Sequence, residues 1–170
     1  SKVTKEIARR TVTGGDDDRH AVDALTQRAQ EAIDDGHIDV AAAVFETARR
    51  MSPASSELAN NHGFCLLPDS PTEALDAFCE ARLKGMVGPL LAANIAVAHL
   101  QVGRAESALR ECEAAAFARL TPTSPALLWE MGEPAGLLPQ LISMDPAEYL
   151  CMVAQRAARD LNDAQAVARW

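Results

Sequence analysis

The sequence predicts an all-α fold, an α-solenoid in which antiparallel helix pairs stack side by side and end in a C-terminal capping helix. A small–large–small triplet of side chains recurs three times, at spacings of 33 and then 34 residues. Gly or Pro interrupts the helical pattern in every unit, and no segment alternates apolar and polar residues as a half-buried strand would. The triplets are Ala41, Phe45 and Ala48; Ala74, Phe78 and Ala81; and Ala108, Cys112 and Ala115.

A repeat of this length, made of two helices and a turn, cannot bury its apolar face alone, so its copies stack on one another. The small residues let neighbouring helices approach closely, and the large residue fills the space between three helices. This interpretation predicts six helices within residues 20–123. A β-sheet in the chain would contradict it.

The elements follow in order along the chain. Residues 1–19 are charged and include the run TGGDDD, which predicts a flexible or peripheral segment. Helical periodicity begins near Ala21 and stops at Gly36, and the partner helix ends before Pro53. The second pair turns at a Pro-Asp-Ser-Pro segment, and the third pair turns at Gly103.

Residues 124–170 are expected to close the open end of the same domain. Several prolines precede Asp145 and exclude one long helix there, so we expect short helices. Asp145 as N-cap and Pro146 at the first helical position then begin a long amphipathic capping helix, which we place at 146–168.

Composition narrows the class of protein. A formal net charge of −8 argues against a nucleic-acid partner and suits a basic one. No apolar run is long enough for a transmembrane helix, and the N-terminus does not resemble a secretory signal. We therefore expect no membrane partner and a cytoplasmic protein with reduced cysteines, and the excess of Arg over Lys suggests a bacterial source. The cysteines are Cys65, Cys79, Cys112 and Cys151.

The units resemble the tetratricopeptide repeat family. That family places Gly between its two helices and follows it with an apolar residue, Ala, a large apolar residue, Ala and Pro. The first unit matches at Gly36, Ile38, Ala41, Phe45, Ala48 and Pro53. The second unit has a turn one residue shorter, the third replaces the aromatic with Cys112, and the Trp and Tyr usual in the first helix are missing. The resemblance covers roughly residues 21–122.

The resemblance implies a concave groove lined by the first helix of each pair. Family members that bind extended peptides often place Asn there, because an amide donates and accepts hydrogen bonds at once. The basic residues that clamp a C-terminal carboxylate in some members are missing. The alternative is that the Asn residues merely cap or bridge helices. The implied peptide-binding residues are Gln27, Gln30, Asn60, Asn61, Phe64, Leu67, Asn94, Val97 and Gln101.

Residues that carry catalytic or metal chemistry are sparse. His62 and Cys65 stand one helical turn apart, as two metal ligands or a nucleophile pair would, but a buried Cys that acts as an apolar filler explains the spacing more simply. The Asp16–Asp18 run lacks the pattern of a calcium loop. We therefore predict no metal, no cofactor and no catalytic residue.

The predicted function is a non-catalytic protein–protein interaction module, which binds a peptide or protein through the groove. A regulatory or sensor domain of a longer signalling or transcription-regulating protein is the alternative, and the missing initial Met slightly favours it. Homo-oligomerisation stays open.

Overall fold

The structure, a computed structural model, describes residues 2–118, 123–132 and 136–170, with side chains from residue 15 onward. Within these ranges the chain is mostly helical. The elements are α1 Lys2–Asp34, α2 Ile38–Met51, α3 Ser56–Leu66, α4 Pro71–Leu83, α5 Pro89–Gln101, α6 Ala105–Phe117, β1 Ala126–Met131, β2 Leu137–Met144, α7 Pro146–Asp160 and α8 Ala164–Arg169.

The first six helices pack in chain order, because each contacts the helix before it and the helix after it. α7 then packs on both α5 and α6. The predicted triplets supply the contacts. Phe45, Phe78 and Cys112 are all buried, and the alanines beside them leave room for the neighbouring helices. The prediction of six helices between 20 and 123 is therefore confirmed.

Two equivalent ion pairs link alternate helices. Arg49 of α2 pairs with Glu80 of α4, and Arg82 of α4 pairs with Glu111 of α6. The two arginines stand 33 residues apart in the sequence, so the links repeat with the same period as the triplets. Both pairs are partly exposed, so each contributes at most about 1 kcal/mol. They show that α2, α4 and α6 lie side by side.

Glycines set the turns and the closest helix contact. Gly36 and Gly103 adopt φ of 79° and 75°, and each ends its helix with two N–H groups bonded back to the last turn. Gly63 has a different purpose, since a Cβ there would lie 2.7 Å from the ring of Phe78 and 3.1 Å from the Ala74 carbonyl oxygen. The backbone of α3 therefore lies directly against α4.

The prediction of short helices after residue 124 is wrong, because this segment forms an antiparallel β-hairpin. The registered pairs include Leu128 with Ile142 and Trp129 with Leu141. The strand pattern was not visible in the sequence because adjacent residues Leu128 and Trp129 are both buried, although they point to opposite faces of β1. The all-helical prediction therefore fails outside 20–123, and the repeat interpretation does not extend to the hairpin.

The two ends of the chain also differ from expectation. α1 runs from Lys2 through Gly14 and Gly15, so no separate segment 1–19 exists. Each glycine costs a helix about 1 kcal/mol relative to Ala, which is a weak preference that the helical context overrides here. The expected helix over 146–168 is broken between α7 and α8, where Asn162 takes φ 54° and Asp163 caps α8.

No helix in the described part of the chain is at once long enough and apolar enough to cross a bilayer.

We expect Phe78→Ala to lower the free energy of unfolding by about 3–5 kcal/mol, because the ring is fully buried and its loss leaves a cavity beside Gly63. Urea unfolding measures this. Phe117→Ala is the matched control, since Phe117 is 93% exposed and should change stability little. Equal losses in the two variants would contradict the packing described here.

Candidate peptide-binding site

The hairpin docks on the helices through Trp129 of β1. The Trp129 indole Nε1–H donates to the carbonyl oxygen of Phe64 at 2.9 Å, and the two rings stack with centroids 5.4 Å apart. The Phe64 carbonyl lies in the last turn of α3, where it would normally accept from residue 68. That residue is Pro68, which has no N–H, so the indole supplies the missing donor.

α7 holds the same strand from behind. The buried Tyr149 hydroxyl donates to the Trp129 carbonyl at 2.7 Å, and Arg156 donates to the Gly132 carbonyl at 2.7 Å. Burial raises the pKa of Tyr149, so its hydroxyl stays a proton donor across the physiological range. The hairpin is therefore bonded on one side to α3 and on the other to α7.

The hairpin covers one half of the predicted groove. Val97 is buried, and with Gln101 it faces Met131 and Leu137 of the hairpin across a gap of only about 30 Å³. Leu67 is completely buried. These positions pack within the protein instead of presenting a surface to a partner.

The other half of the predicted groove stays open as a cavity of about 250 Å³, which we call the amide cavity. Five of the nine predicted residues line it. One side of its lining is formed by apolar side chains, which are Ile33, Phe45, Phe64 and Leu90. The strand residues Ala126 and Leu127 lie at its edge. Its polar members are Gln30, Asn60, Asn61 and Asn94.

Three asparagines form a chain of hydrogen bonds beside this cavity. The Asn94 side-chain amide donates to Asn60 Oδ1 at 3.0 Å, and the Asn60 amide donates to Asn61 Oδ1 at 3.4 Å. Asn60 and Asn94 are buried, so the bridging alternative holds for this pair, which links α3 to α5. Asn61 is half-buried, and its own amide N–H groups bond to no other described residue. The chain of bonds therefore ends in a free donor.

The two predicted glutamines lie on α1 and are exposed. Gln27 donates to Glu31, and Gln30 donates to Asp34, each one turn along the helix. Gln30 also lines the amide cavity, whereas Gln27 does not. Only one of the two therefore belongs with the asparagines.

A second cavity, of about 540 Å³, lies beside the first, and we call it the acidic cavity. Ile33 and Leu127 line both cavities, so the two meet there. Sequence reasoning missed this cavity because the hairpin forms one of its walls. Its charged members are Asp34 and Asp69, and its apolar members include Ile38, Pro68, Trp129, Pro139 and Leu141.

His62 and Cys65 do not face a common metal position. The His62 ring nitrogen Nδ1 accepts from Arg49 at 2.6 Å, and Arg49 in turn pairs with Glu80. Burial, with the Arg49 charge adding to it, lowers the pKa of His62. Burial raises the pKa of Cys65 to about 12, so the thiol stays protonated. The pair fills and braces the helix stack.

No group of three or more His, Cys, Asp or Glu side chains in the described ranges could hold a metal ion. All four cysteines are free thiols in the structure.

We expect Trp129→Phe to lower the free energy of unfolding by about 1–3 kcal/mol, because it leaves the buried Phe64 carbonyl without a donor. Hydrogen exchange should quicken in the hairpin more than in α1 and α2. Leu127→Ala is the control, since that side chain is 41% exposed. Uniform exchange across the protein would contradict the docking role.

We expect stability to fall as the pH drops below about 6.5, because the pKa of His62 is lower in the folded protein than in the unfolded chain. The loss grows as the pH approaches the folded-state pKa. His62→Gln should remove part of it, and the remainder belongs to His99, whose pKa burial also lowers. His37→Gln, at an exposed site, is the control; unfolding curves that keep the same pH dependence in both variants would refute the assignment.

Comparison with models of known protein families finds no match, and comparison with curated proteins finds no relative of significant similarity. The function must therefore be argued from the geometry of the chain itself.

Proposed function

We propose that the protein is a non-catalytic interaction module whose three helix pairs form a tetratricopeptide-like stack, and that it binds a peptide segment of a partner protein. Three features support the stack. They are the buried triplets, the ion pairs that recur at the same period, and the glycine-ended turns of the first and third pairs. The hairpin and α7 would then close the end of the stack.

The amide cavity is the observation that carries the peptide proposal. The free amide of Asn61 offers a donor to a peptide carbonyl, and the apolar wall beside it offers a place for one side chain. Peptide backbones present carbonyl and N–H groups at regular intervals, so an amide side chain at the edge of an apolar cavity suits them.

The lining of the amide cavity contains no ionisable side chain. A general acid, a general base or an activated nucleophile would need one. The chemistry that the cavity can offer is hydrogen bonding and apolar contact, which favours binding over catalysis.

The hairpin sets the length of the bound segment. Because it covers the Val97 and Gln101 half of the groove, a peptide would contact the first two helix pairs and the edge of β1 instead of crossing the whole stack. The partner would therefore supply a short segment.

The test is selection from a phage-displayed library of random octapeptides with the full chain as bait. We expect enriched sequences, and we expect Asn61→Ala to weaken binding of the most enriched labelled peptide about two- to tenfold, the worth of one hydrogen bond. Fluorescence anisotropy measures the affinity. Gln27→Ala is the control, because Gln27 lies outside the cavity. If no sequence is enriched, or if Asn61→Ala binds as tightly as Gln27→Ala, the proposal fails.

A further inference from the structure

The two cavities form one continuous furrow along the hairpin. Ile33 and Leu127 belong to both linings, and Leu127 is 41% exposed at the point where they meet. One end of the furrow holds the Asn61 amide, and the other end holds Asp34 and Asp69. A chain segment that enters at Asn61 would therefore pass Leu127 and reach the two carboxylates.

The charge of this furrow has one sign. Asp34 and Asp69 are the only charged side chains that line either cavity, and they stand on different elements, the end of α1 and the turn between α3 and α4. The Asp34 carboxylate accepts one hydrogen bond from Gln30, which leaves its second oxygen available. No Lys or Arg lines the furrow to neutralise the pair.

The walls between the carboxylates are apolar. Ile38, Pro68 and Leu141 face the same space, beside the ring of Trp129. A long basic side chain combines an apolar stem with a charged head, so it matches apolar walls that end in carboxylates. An aromatic wall adds an attraction for a cation. An acidic or purely apolar side chain would leave the two carboxylates unpaired.

We propose that the peptide partner carries a Lys or Arg side chain that occupies the acidic cavity while its backbone bonds to Asn61. This rests on the proposed function and adds the chemical class of the partner and the position of its basic residue. A second copy of the chain is a poor occupant, because the formal net charge of −8 makes two copies repel.

The experiment compares two double variants as baits for the same random octapeptide library. Asp34→Asn with Asp69→Asn removes the carboxylates of the acidic cavity. Asp35→Asn with Asp76→Asn changes the net charge equally at exposed positions that line neither cavity. The readouts are the frequency of Lys and Arg in the selected peptides and the affinity of the most enriched labelled peptide at low and high salt.

The unchanged chain and the Asp35/Asp76 variant should both select peptides rich in Lys or Arg next to an apolar residue. The Asp34/Asp69 variant should lose this preference and should bind the labelled peptide about two- to fivefold more weakly for each carboxylate removed. Salt should weaken binding to the unchanged chain more than binding to the Asp34/Asp69 variant.

Two outcomes overturn the inference while the proposed function stands. Peptides could be selected without any preference for Lys or Arg, or both double variants could lose the preference equally, which would assign it to net charge alone. Failure to select any peptide would instead contradict the proposed function itself. Melting temperatures of the two variants should agree, and a loss confined to an unfolded Asp34/Asp69 variant is checked with Asp69→Asn alone, which should show a smaller loss of the same preference.

Discussion

The docking of Trp129 on Phe64 is the contact on which the rest of the candidate site depends. A helix leaves the carbonyl groups of its last turn without partners, and Pro68 deprives α3 of the N–H that would bond to Phe64. The indole provides a donor at the same place where its ring stacks on the Phe64 ring. A local defect of the helix end thus becomes an attachment point for a distant part of the chain.

The attachment divides the face that the first helices present. Toward α7 the hairpin packs closely and leaves almost no space, whereas toward α1 it leaves two connected cavities. β1 therefore acts both as a cover and as a wall. The polar groups that remain open are those that no element of the chain satisfies, namely the amide of Asn61 and the carboxylates of Asp34 and Asp69.

Local sequence rules worked where packing repeats. The buried positions Phe45, Phe78 and Cys112 could be predicted because small and large residues recur at a constant spacing, and the turn at Gly36 because Gly tolerates a positive φ. The hairpin could not be predicted. Both faces of β1 are covered, so Leu128 and Trp129 follow each other without the alternation that marks a half-exposed strand. The absence of N–H at Pro68 was a visible signal, but it did not say which donor would come.

By itself the sequence determined the helices of 20–123, their order and the residues of their contacts, because those depend on near neighbours and on a repeated period. It also placed Gln30, Asn60, Asn61, Phe64 and Asn94 on one surface, although Asn60 rather than Asn61 is the partner of Asn94. Only the tertiary structure decided which of the predicted residues stay accessible. That outcome depends on where β1 docks, and its contacts join residues 65 positions apart along the chain, beyond the reach of any local pattern.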